Sequence, residues 1–115
     1  MNVKEFYKNI GGNYESALAI MMNDVFIEKM LDMFFSKNAY NDIVSSYDKK
    51  YFESVFKGAH SFKGVAGNLA LTPLFEIASV ITEATRGLKE VNIDKEINEL
   101  KEKYSFIVSE YQRMK

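Results

Sequence analysis

Phe52-Glu53-Ser54-Val55-Phe56-Lys57-Gly58-Ala59-His60-Ser61-Phe62-Lys63-Gly64-Val65-Ala66-Gly67-Asn68-Leu69 reads as one long helix, and the rest of the chain is arranged around it. It carries the only histidine among 115 residues. Successive helical residues turn by about 100°. With His60 at zero, Phe52, Val55, Ala59, Phe62, Ala66 and Leu69 gather within about 60° of one direction, roughly 120° from the imidazole. The spacing predicts that stripe as the buried face and leaves His60 outside it. Gly64 and Gly67 fall within about 40° of His60, and Lys63 at about 60°, one turn on.

Glycine inside a helix costs roughly 0.5–1 kcal/mol relative to alanine. This stretch carries Gly58, Gly64 and Gly67. Bare backbone beside an imidazole leaves room for something bulky to approach, and a lysine one turn along suits an anionic group on the ring. Two plainer explanations stand beside this one. A lone helical histidine is ordinarily a surface residue, and helical glycines often serve only close helix packing.

Ala59-His60-x-x-Lys63-Gly64, continuing through Gly67 and Leu69, resembles the signature of histidine-containing phosphotransfer (HPt) domains, the phosphocarrier modules of multistep two-component phosphorelays. The motif covers about a dozen residues. Domain size, helix order and the mid-chain histidine extend the likeness loosely over the whole chain. The resemblance implies that His60 accepts a phosphoryl group through Nε2 and that Lys63 helps hold its oxygens. It further implies that Gly64 and Gly67, with Ala59, Lys57 and Asn68 around them, receive a receiver domain. Magnesium and most of the transfer machinery would then belong to that partner, and the chain itself would need no cofactor.

Composition sets the outer limits. Hydrophobic residues make up 47% and charged residues 27%, ordinary for one globular domain with a real core. A formal net charge of −1 favours neither nucleic acid nor an anionic membrane as partner. Without cysteine there is no disulfide framework and no thiolate metal site. No apolar run approaches the ~18 residues of a membrane span, and Met1-Asn2-Val3-Lys4-Glu5-Phe6 lacks the apolar stretch of a secretion signal. A cytoplasmic, free-standing monomer is the expectation.

Taken in order, residues 3–10 read as a short helix broken by Gly11-Gly12. Asn13 caps a second, to about residue 22, and Asn23 a third, over 24–36, with Ile27, Met30, Leu31, Phe34 and Phe35 inward. Met21-Met22 has no assigned place. Asn38 opens a helix over 39–48, and the histidine helix occupies about 51–70. Thr72-Pro73 reads as cap plus first helical residue of the next, 73–87, with Leu74, Ile77, Ala78, Ile81 and Leu88 toward the core and Gly87 as the stop. The last helix spans about 93–113, its seam formed by Ile93, Ile97, Leu100, Tyr104, Ile107 and Tyr111. A coiled-coil dimer competes for that seam, but under three heptads with two tyrosines suits packing inside a bundle better. The expected class is all-α, an up-and-down antiparallel four-helix bundle with additional short N-terminal helices.

Other chemistries find no support. Ser61 adjoins His60 in sequence and so cannot face it on a helix, which removes a serine–histidine pair. One histidine and no cysteine give no zinc site, and Gly11-Gly12 lacks the pattern of a phosphate loop. No ATP-binding signature is present, so the chain is expected to be a carrier rather than an enzyme. Lys49, Lys50, Lys57 and Lys63 are too few, and too offset by Asp48 and Glu53, for a nucleic-acid stripe. Two alternatives to the carrier remain: a non-catalytic helical adaptor that binds a receiver or another signalling protein, and a helical dimerisation module.

Overall fold

Three asparagines set the pace of the N-terminal third. In the computed structural model, which describes residues 1–115, the side chains of Asn2, Asn13 and Asn23 accept the backbone N–H of Glu5, Ser16 and Phe26 at 2.8, 3.0 and 2.8 Å. Each thereby satisfies a donor that the first helical turn leaves free. The helices so started are α1 (Val3–Ile10), α2 (Tyr14–Met21) and α3 (Asp24–Ser36). Four more follow: α4 (Ala39–Asp48), α5 (Phe52–Asn68), α6 (Thr72–Ala84) and α7 (Asp94–Met114), with no strand anywhere. Asn38 holds the cap position of α4 without a side-chain hydrogen bond.

α5 lies against α4 and α6, α6 against α7, and α1 against α7, while α2 packs on α3. The six apolar residues of the α5 stripe are all buried. At roughly 1.5–3 kcal/mol for each large side chain removed from water, this stripe anchors α5 far more firmly than helix propensity could. The aromatic density of α3 and α7 is packing: Phe34 sits 5.3 Å from Phe62, Phe35 4.6 Å from Tyr111, and Tyr40 stacks flat on Tyr104 at 3.9 Å between centroids. The Tyr111 hydroxyl donates to Asp32, and Lys115 reaches Glu28 and Asp32 at 3.4 and 3.1 Å, tying the end of α7 to α3. Ile97, Leu100 and Ile107 are buried in the chain's own core, so the α7 seam is already occupied.

The C-terminal end of α5 is sealed by α1 and by the turn into α2. Tyr7, wholly buried, donates its hydroxyl to the Leu69 carbonyl at 2.6 Å, and the Asn13 amide donates to the Ala70 carbonyl at 3.0 Å. The helix closes in a Schellman turn, with Leu71 N–H on Ala66 O (2.9 Å) and Ala70 N–H on Gly67 O (3.0 Å). Ala70 takes the left-handed position at φ 54° that glycine usually fills. Gly12 lies flat against this turn; a Cβ there would stand 2.8 Å from both Ala70 O and the Tyr7 ring.

The boundaries of α6 differ from expectation in three places. Leu71, not Thr72, holds the cap position, because its amide already closes the α5 turn and its side chain is buried. The Thr72 hydroxyl turns back to the Ala70 carbonyl instead, at 3.5 Å. The helix stops at Ala84 rather than at Gly87, and Leu88, at φ 59°, takes the left-handed turn. Leu88 is therefore half exposed and not part of the core. No helix is long and apolar enough to cross a membrane.

Candidate functional site

His60 stands on the outer face of α5 and is exposed, as the helical geometry requires. Its ring lies nearly parallel to that of Phe56, one turn earlier, at 6.0 Å between centroids and 15° between planes. Residues four apart on a helix share a face, so the two rings lie side by side along the outside of α5. Across the same Phe56 ring sits the Arg86 guanidinium, 5.4 Å from the centroid, brought there by the turn that ends α6. Arg86 grips Glu83 with both arms of its fork, Nε to Oε2 at 3.1 Å and Nη2 to Oε1 at 2.7 Å. That hydrogen bonding, then the Arg86 charge, holds the Glu83 carboxyl below the usual carboxylate range, with the charge of Lys63 adding to the effect.

Lys63 is half buried one turn beyond His60, at the edge of a shallow groove of about 450 Å³. Gly64, Gly67, Asn68 and Phe75 share that groove. The three helical glycines prove unlike one another. A Cβ on Gly58 would meet Ile43 at 3.1 Å and one on Gly67 would meet the Phe75 ring at 3.0 Å, so both admit a neighbouring helix. A Cβ on Gly64 would meet nothing within 4 Å. Packing explains Gly58 and Gly67; nothing inside the chain explains Gly64.

The remaining expected site residues divide in the same way. Lys57 is exposed and pairs with Glu53 at 3.0 Å, an ordinary surface contact of little energetic weight. Asn68 is exposed at the groove. Ala59 is a correction: it is completely buried in the α5 stripe, so no docking partner can touch its side chain, and its smallness serves packing.

Compared with protein families, with curated proteins and with solved structures, the chain matches none.

His60 lines none of the cavities. The largest, about 590 Å³, is bounded by Tyr47, Phe52 and Asp94. A second groove, about 390 Å³, is apolar and lined by Met21, Met30, Met33, Phe34, Phe62 and Val65. It gives Met21 a place, while Met22 stands exposed at φ 79°. No three metal-ligating side chains cluster anywhere. An imidazole on an open surface cannot enclose a small substrate, but it can enter a site carried by another molecule. Phe56, Glu83 and Arg86 were not singled out from the sequence. Phe56 could have been found four residues before His60, whereas Glu83 arrives from α6 and Arg86 from the turn that ends it.

Proposed function

We propose that the chain is a histidine phosphocarrier of the HPt type, exchanging a phosphoryl group between a receiver domain's aspartate and His60. The observation that carries this reading is the pairing of an exposed, Phe56-supported imidazole with Gly64, a helical glycine that no contact of its own chain requires. Glycine there keeps the backbone beside His60 bare, which a partner's active site needs if it is to close on the ring. On this reading α3, α5, α6 and α7 form an up-and-down four-helix bundle that displays His60 on its flank in the cytoplasm.

The chemistry is a displacement at phosphorus. The lone pair of imidazole Nε2 forms the P–N bond as the bond to the aspartate oxygen breaks and the carboxylate leaves. Such transfers depend mainly on positioning and charge neutralisation. Lys63 offers an ammonium one turn from the acceptor, while magnesium would come with the receiver.

The direct test is incubation with a phosphorylated receiver domain. Acid-labile, alkali-stable label is expected on the wild type and absent from His60→Gln. Label retained by that variant excludes His60 as acceptor. Lys63→Ala is expected to slow transfer with the helical spectrum intact. The Met-lined groove favours a second reading, a non-catalytic adaptor: receivers that bind the chain without ever labelling it would select that reading.

A further inference from the structure

Resting on the phosphocarrier reading, we infer that Glu83 is a built-in counter-ion that occupies the Arg86 guanidinium until His60 is phosphorylated. Three observations place it there. The Arg86 guanidinium and the His60 imidazole share one support, the Phe56 ring, at 5.4 and 6.0 Å. Both arms of the Arg86 fork are engaged by Glu83 and by no other side chain. The charge of Lys63, one turn beyond His60, also acts on the Glu83 carboxylate, without an ion pair between them.

The consequence is an exchange of partners. A guanidinium fork fits a carboxylate and a phosphoryl group equally well in geometry, but the phosphoryl group carries the larger charge. Once His60 bears it, Arg86 is drawn off Glu83 and onto the phosphoryl oxygens. Glu83 then opposes the charged form by repulsion as well as by competition. Arg86 and Glu83 are positioning residues here, acting on a group attached to His60 rather than on the transfer bond itself.

Phosphoramidate tests this without any receiver, because imidazole takes its phosphoryl group as ammonia leaves. Labelling of His60 is followed by phosphorus NMR in the wild type, Glu83→Gln, Arg86→Ala and the double variant, with His60→Gln as blank. Glu83→Gln is expected to label roughly three- to tenfold faster and Arg86→Ala slower by a similar factor, with the double variant close to Arg86→Ala. Both side chains are exposed, and circular dichroism checks that the helices persist. A merely structural ion pair would move both single variants in the same direction, and that result overturns the inference, as does Arg86→Ala labelling at the wild-type rate. A folded wild type that takes no label from phosphoramidate overturns the inference, and one that also takes none from phosphorylated receiver domains overturns the phosphocarrier reading itself.

Discussion

The closing turn of α5 and the outer face of its middle are built on opposite rules. At Leu69–Leu71 every polar group is spoken for within the chain: Tyr7 closes on one carbonyl, Asn13 on the next, and the turn completes its own hydrogen bonds. Around His60 the contacts are provisional. A ring stacks on a ring, a carboxylate holds a guanidinium in water, and the backbone at Gly64 faces nothing. The sealed end resists change because losing one partner strands the other. The open region can exchange partners at small cost, which is what a surface for transient docking needs. Both regions use glycine: Gly12 is closed in by Ala70 and Tyr7, whereas a Cβ on Gly64 would meet nothing within 4 Å.

The largest expected effect lies at the sealed end. Tyr7→Phe leaves the Leu69 carbonyl buried without its donor and should destabilise the fold by about 1–3 kcal/mol, read from urea unfolding. An unchanged midpoint would mean that the Tyr7 hydroxyl does not hold this end. Tyr7 also sets the alkaline limit. Burial raises its phenol well above the ordinary value of 10, and burial together with Asp32 pushes Tyr111 up to about 12. The folded state therefore favours the neutral phenols, so stability is full below pH 10 and falls as pH rises beyond it. Tyr111→Phe should remove its share of that loss between pH 10 and 12, measured as the slope of stability against pH.

The open region should respond with the opposite sign. Gly64→Ala meets nothing and should stabilise the chain by about 0.5–1 kcal/mol while slowing phosphoryl transfer from a receiver. Faster or unchanged transfer would remove the functional reason for that glycine. Gly67→Ala should gain less stability than Gly64→Ala, because Phe75 must shift to admit the methyl group. The smallest effect is expected at Ala70. Glycine relieves the left-handed backbone there, with a gain of about 0.5 kcal/mol in thermal unfolding after the extra freedom of the unfolded chain is subtracted.

Much of this could be read from the residues alone. The apolar period of 3.6 marks the buried stripe of α5 and places His60 outside it, because angular position on a helix follows from spacing alone. Asparagines before apolar runs mark the starts of α2 and α3, since the cap is a local hydrogen bond. The end of α6 could not be read that way. Gly87 looks like a stop, but helix termini depend on which residue the core claims, and the left-handed turn is made at Leu88. The resemblance likewise places Ala59 at a docking face, although its own angle on the helix puts it in the core.

What the sequence determined by itself is the set of helices and the outward azimuth of one imidazole, because both are short-range consequences of backbone geometry. Which glycines are filled by neighbours, and which carboxylate and guanidinium meet beside Phe56, only the tertiary structure decided. Those contacts join residues of α5 to residues of α4, of α6 and of the turn after it, and no local pattern records where a second helix will come to rest.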